Sequence, residues 1–236
     1  MRRYCGFDFR QTNAVGYRNI NEIYEQHTQL HCCETLFGDY EASVLVLLQD
    51  AANFDRLNKL YIKTGQNPFK HDPKVETNKN LFRFLKPYFP LGKSVAEPNN
   101  RSCGVFYANA VWLLKDAADM QGDLHGDNGD LEIFLATLDS LPNLKLIIAC
   151  GLVPYNLVCS AQNQLLPKWS DFRGGQVTKI AIRNRDFILG STFHPGRRGV
   201  NWRHKFSNTH GLSGADLLEQ DFSCILESAG FKKISS

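Results

Sequence analysis

Residues 42–54 read A-S-V-L-V-L-L-Q-D-A-A-N-F, and the five apolar positions from Val44 to Leu48 decide the fold. That run is too short for a helix and has no polar alternation, so it predicts a strand buried on both faces within a parallel sheet. Gln49 and Asp50 then stand at the strand's carboxyl end. In open α/β sheets this edge receives the ligand, because the strand-to-helix loops leave a crevice there. A carboxylate in that position is a candidate for chemistry if other functional groups reach the same edge.

Three further apolar runs are expected to do so. Residues 104–110, G-V-F-Y-A-N-A, predict a strand ending at Asn109, and residues 144–150, L-K-L-I-I-A-C, predict one ending at Cys150. Residues 176–182 and 186–193, joined by R-N-R, predict a hairpin whose second arm delivers His194-Pro195-Gly196. Helices are expected at 19–30, at 78–88 before Pro87 and Pro90 end it, at 131–141 with Asp130 as cap, after Gly151 and Pro154, and from Ser213 or Gly214 onward. Strands and helices thus alternate, which predicts one α/β domain over residues 1–236. The expected architecture is a three-layer αβα sandwich around a mainly parallel, four-stranded central sheet.

Composition narrows the class. No apolar run approaches the roughly 20 residues needed to cross a bilayer, and the N-terminal M-R-R-Y-C-G-F-D-F-R has no apolar segment after its basic residues. A soluble, cytoplasmic chain is expected, with no membrane partner and as a monomer. The seven cysteines are odd in number and form no C-x-x-C pair, which argues for reduced thiols and against a zinc or iron–sulfur site. His31, Cys32 and Cys33 are adjacent, but neighbouring side chains in an extended segment point apart. The D-N-G-D at 127–130 lacks the spacing of a calcium loop. No metal and no cofactor are expected.

The net charge of +3 hides an uneven distribution. Between Arg173 and Lys205 stand Arg173, Lys179, Arg183, Arg185, Arg197, Arg198, Arg203 and Lys205 against the single acid Asp186, whereas 116–143 hold no Lys or Arg. A one-sided basic segment suits a polyanion, since each cation that neutralises a phosphate releases counterions. It equally suits a solvated basic loop.

A carboxylate, an amide and an imidazole are therefore expected at one crevice flanked by basic residues. These residues resemble the uracil-DNA glycosylase superfamily. Q-D-A-A-N at 49–53 resembles its water-activating Q-D-P-Y-H, N-A-V at 109–111 its uracil-reading L-N-A-V, and H-P-G-R-R-G-V-N-W at 194–202 its H-P-S loop. The resemblance spans roughly residues 44–206 and implies a monofunctional DNA glycosylase acting on DNA with a damaged or deaminated base. It implies catalytic roles for Asp50, which activates water and stabilises the sugar cation, and for His194, which donates to uracil O2. Gln49, Asn109 and Phe69 would bind the base, with Phe69 as the stacking aromatic. Arg197, Arg198, Asn201 and Arg203 would contact DNA.

That chemistry needs these groups. Breaking a pyrimidine N-glycosidic bond leaves an oxocarbenium-like sugar and an anionic base, so a carboxylate belongs on the sugar side and donors belong at O2. The base must first leave the stack for a pocket with polar groups and an aromatic wall. Each residue also has an ordinary structural role open to it. Asp50 could cap a helix, His194 could be a buried histidine bonded to backbone, and Phe69 could close the core. Leu48, Ala51, Ala52, Asn53 and Gly196 replace the family's Gly, Pro, Tyr, His and Ser. Either the pocket is reshaped for another lesion, or the chain is a non-catalytic nucleic-acid-binding relative. A small-molecule α/β hydrolase would need a G-x-S-x-G elbow, and the sequence has none.

Overall fold

The first element of the computed structural model, which describes residues 17–19, 39–49, 59, 75–92, 102–111, 113–115, 130–206 and 211–234, is the short strand β1 (Tyr17–Asn19). Then follow β2 (Val44–Leu48), α1 (Glu76–Leu85), β3 (Val105–Asn109), β4 (Leu113–Lys115), α2 (Asp130–Ser140), β5 (Leu146–Cys150), α3 (Leu152–Ala161) and α4 (Trp169–Phe172). The series closes with β6 (Gln176–Ile182), β7 (Arg185–Thr192), α5 (Arg197–Phe206) and α6 (Gly214–Ser228). Among the described residues these six helices accompany a five-stranded sheet ordered β3-β2-β5-β7-β6 and a two-stranded one, β1-β4.

All four parallel strands come from the apolar runs. Every residue of β2 and β5 is buried, as strands covered on both faces require. The pleat divides their side chains between two cores. Leu45, Leu47, Phe106, Ala108, Ile147 and Ala149 pack with Ile133, Phe134 and Leu138 of α2 and with Tyr155 and Val158 of α3. Val44, Val46, Val105, Tyr107, Leu146 and Ile148 pack with Leu81, Phe84 and Leu85 of α1 and with Leu218, Phe222, Ile225 and Leu226 of α6. The fold is therefore α/β with a mainly parallel sheet, and no helix among the described residues is long and apolar enough to cross a membrane.

The expectation of four strands is corrected to five. Arg183 and Asn184 both have positive φ, 47° and 61°, which is the geometry of a two-residue hairpin turn. The turn lays β6 antiparallel against β7 from Gln176↔Ser191 to Ile182↔Arg185, so the first hairpin arm becomes the sheet's edge. Two smaller corrections concern helix and strand ends. Asn19 closes β1 instead of opening a helix, and residues 20–30 of that expected helix lie outside the described residues. Asp130 is the first residue of α2 and not its cap, a position where a carboxylate still suits the helix dipole.

Two helix connections fix the α1–α6 face. Ser213 caps α6 in a reciprocal box, its hydroxyl accepting from the Asp216 N–H while the Asp216 carboxylate accepts from the Ser213 N–H. Asp216 also accepts from Arg83 of α1 at 2.6 Å, and the Tyr88 hydroxyl donates to Glu227 at 2.7 Å.

Candidate functional site

The carboxyl ends of the parallel strands form one edge. Leu48 and Asn109 are Cα partners across β2 and β3, Leu47 and Ala149 across β2 and β5, and Cys150 and Thr192 across β5 and β7. The residues beyond stay in register: the Ala110 N–H donates to Leu48 O at 2.7 Å, Val111 to Gln49 O at 2.9 Å and Gly151 to Thr192 O at 2.8 Å.

Strand order then singles out one point on this edge. From β2 the chain moves outward to β3 and returns past β2 to β5, with α1 on one face and α2 on the other. The loops leaving β2 and β5 consequently diverge, and an α/β sheet opens its crevice where they do. Gln49 and Gly151 begin those two loops. Asn109 ends the next strand on one side, and His194 stands two residues past the next strand on the other. At about 4.8 Å between neighbouring strands, the Cα atoms of Asn109 and Thr192 lie about 14 Å apart. Three predicted site residues, Gln49, Asn109 and His194, thus stand along one edge of the sheet, each half-buried. Asp50 and Phe69 lie outside the described residues.

The His194 loop is held from three directions. Its Nδ1 accepts from the Gly196 N–H at 3.0 Å, which in the neutral ring leaves the proton on Nε2. Asn80 of α1, itself buried, donates to Pro195 O at 2.7 Å. Gly199 lies so close behind that a Cβ there would stand 2.0 Å from the His194 carbonyl oxygen. Gly196, where the resembled family has Ser, is equally confined, since a Cβ would meet Thr77 Oγ1 at 2.8 Å and His194 Nδ1 at 3.0 Å. The ordinary role foreseen for a histidine, a bond to backbone, is therefore present at Nδ1, while the residue keeps partial exposure.

The basic segment after His194 is not the loop expected from its sequence but the helix α5. Arg197, Arg198 and Asn201 are exposed on it. Arg203 turns inward: its Nε and one Nη each donate to Asp221 of α6 at 2.8 Å, and its side chain is 11% exposed against 3% for Asp221. Thr192, fully buried at the end of β7, donates to the same carboxylate at 2.7 Å. Arg203 is thereby removed from the exposed set foreseen for DNA. Other members of the basic segment are also engaged within the fold. Arg173 lies over the rings of Trp169, Phe193 and Phe206, Arg183 pairs with Asp139, and Arg185 donates to Leu138 O and Leu141 O.

Two apolar residues shape the edge itself. Leu48 is 7% exposed and packs in the same cluster as Phe193. Cys150 is fully buried, and burial pushes its thiol far above the ordinary range, so it is protonated and inert as a nucleophile. Among the described residues no group of three His, Cys, Asp or Glu side chains could hold a metal ion. Asn80 and Asp221 were not foreseen as parts of the site. No local motif marks them, because each acts by holding another residue.

No protein-family model matches the chain, and no curated protein matches its sequence.

Proposed function

We propose that the chain is a monofunctional DNA glycosylase that extrudes uracil or a related damaged pyrimidine and hydrolyses its N-glycosidic bond. The observation that carries the proposal is that Gln49, Asn109 and His194 all stand at the carboxyl edge of a sheet whose strand order reverses beside Gln49, which is where such sheets take their ligands. On this proposal Asn109 reads the edge of the extruded base, and Phe69 stacks on its face. His194, with Nδ1 taken by the Gly196 N–H, donates from Nε2 to O2, which carries negative charge as the bond breaks. A neutral ring suits this task because one that keeps its proton stabilises the leaving anion without protonating it. Asp50 stabilises the sugar cation and directs the attacking water, whose oxygen joins C1′ while a proton goes to the departing base.

The enzyme would be a cytoplasmic monomer of one uracil-DNA-glycosylase-like domain, built as a three-layer αβα sandwich and working without a cofactor. Arg197, Arg198 and Asn201 would meet the phosphates, while Arg203 would position α5 from beneath. The test is single-turnover excision from duplexes that carry one uracil, comparing the parent with His194→Ala and Asn109→Ala. Loss of excision in both variants is expected, and a parent without activity on any pyrimidine lesion would sink the proposal. One observation favours a second reading, a non-catalytic nucleic-acid-binding relative. Leu48, buried in the core, stands where the resembled family's Gly allows close approach of the backbone. Binding of DNA by a parent that excises nothing would select it.

A further inference from the structure

We propose that the exposed face of α5 is a docking strip for single-stranded nucleic acid, with Trp202 stacking on an unpaired base next to the crevice. This deepens the glycosylase proposal by naming the form of substrate that the site's border prefers.

The strip is defined by spacing. Arg198 and Trp202 are four residues apart, about 6 Å along the helix, so the two share one face. Lys205 joins them, its Nζ lying 5.4 Å from the centre of the Trp202 ring. The helix holds no Asp or Glu, and Arg197, Arg198, His204 and Lys205 are all exposed. A cationic helix with Trp202 outward complements a polyanion whose bases offer ring faces.

The aromatic exposure is not required by the core. Trp202 is 56% exposed on a helix whose inward side is already anchored by Gly199 and Arg203, whereas Phe206 packs against Phe193 beneath the Arg173 guanidinium. That anchoring makes the strip rigid. Arg203 grips Asp221 with two hydrogen bonds, the Val200 N–H donates to Gly196 O at 3.0 Å, and a Cβ on Gly214 would stand 2.1 Å from Val200 O. Strip and His194 loop therefore form one unit, and a strand seated on α5 is held in register with the crevice.

Single strands fit better than duplex. A stacking side chain needs a base whose face is free, whereas a duplex hides its faces and presents phosphates and groove edges. A lipid surface is the other anionic partner a basic aromatic helix could meet. Here the exposed face sets a single aromatic, Trp202, beside Arg198, Asn201 and Lys205 and has no aliphatic stripe to immerse, which favours the nucleic acid.

The experiment uses the full chain and a fluorescein-labelled oligothymidylate without uracil, read by anisotropy, with a duplex of equal length in parallel. The parent is expected to bind the single strand more tightly than the duplex. Trp202→Ala should weaken single-strand binding roughly tenfold or more, and Trp202→Phe should recover most of it, as base stacking predicts. Quenching of parent tryptophan fluorescence by the oligomer, abolished in Trp202→Phe, provides a readout independent of any folding defect in the alanine variant. Parent-like affinity in Trp202→Ala would overturn the proposal. So would an affinity confined to phosphatidylglycerol vesicles, or tighter binding of the duplex. Because the probe holds no uracil, failure here leaves excision untouched, while binding without excision would remove the glycosylase reading and leave the strip.

Discussion

Removing the Asp221 carboxylate tests the most heavily buried polar contact of the site's border. In Asp221→Ala the Arg203 guanidinium loses both of its 2.8 Å hydrogen bonds and Thr192, fully buried, loses its acceptor at 2.7 Å. Breaking a buried ion pair by deleting one partner costs about 3–5 kcal/mol, because the remaining charge stays desolvated. The lower end applies, since the 11% exposure of Arg203 lets some water reach its head group. At about 2–4 °C per kcal/mol for a chain of this size, a loss of about 3 kcal/mol lowers Tm by about 6–12 °C. Urea unfolding followed by tryptophan fluorescence measures the loss directly. The double variant Arg203→Met with Asp221→Leu should lie much closer to the parent, because an apolar pair needs no desolvation. If the single variant loses less than about 1 kcal/mol, the contact is not the anchor argued from its geometry. The same experiment decides the role of Arg203, because a phosphate-binding arginine would lose DNA affinity on substitution while unfolding as the parent does.

Gly199→Ala forces a methyl group against the His194 carbonyl, where all three nearest atoms are backbone, so a loss of about 1–3 kcal/mol is expected in the same unfolding assay. Parent-like stability would mean that the two segments separate easily. Asp50→Asn should lower single-turnover excision by at least about a hundredfold with DNA affinity unchanged, and undiminished excision would remove Asp50 from the mechanism. Arg198→Ala should reduce the salt slope of DNA binding by roughly one unit, and an unchanged slope would make this arginine solvated surface only. Asp216 provides a pH test: Arg83 first, and then Ser213, hold its carboxyl at about 2 against an ordinary 3.8. A depressed folded-state value means stability present above the ordinary value and lost as pH falls through the lower one. Asp216→Asn should therefore flatten the decline of stability between pH 3.8 and about 2, and an unaltered profile would refute the pairing.

The parallel strands were legible because burial on both faces leaves only apolar residues, and in β2 and β5 nothing else competes with that signal. The hairpin was legible at its turn, but its first arm reads Q-V-T-K-I-A-I and is largely half-exposed. An edge strand needs one covered face only, so its pattern resembles a surface ribbon and escaped the strand count. α5 escaped for a different reason. Its sequence R-R-G-V-N-W-R-H-K-F has a glycine in the first turn and presents Trp202 outward, and its most deeply buried side chain is an arginine. Apolar periodicity cannot register a helix docked through a charge whose partner, Asp221, lies 18 residues further along.

Gln49, Asn109 and His194 were legible for the same reason as the strands, since a polar residue directly after a buried run must emerge at the sheet's edge. What steadies them was not: Asn80 reaches Pro195 across 115 positions, and only the packing of α1 on the sheet brings the two together. One part of the site's chemistry is nevertheless written locally in H-P-G. Proline has no N–H, so the first backbone donor after His194 on its own turn is that of Gly196. That donor meets Nδ1 at 3.0 Å, and it can do so because residue 196 carries no Cβ to press on the same nitrogen. A ring that accepts at Nδ1 holds its proton at Nε2 when neutral. Three consecutive residues therefore fix which nitrogen can donate, and the sheet has only to deliver that donor to the crevice.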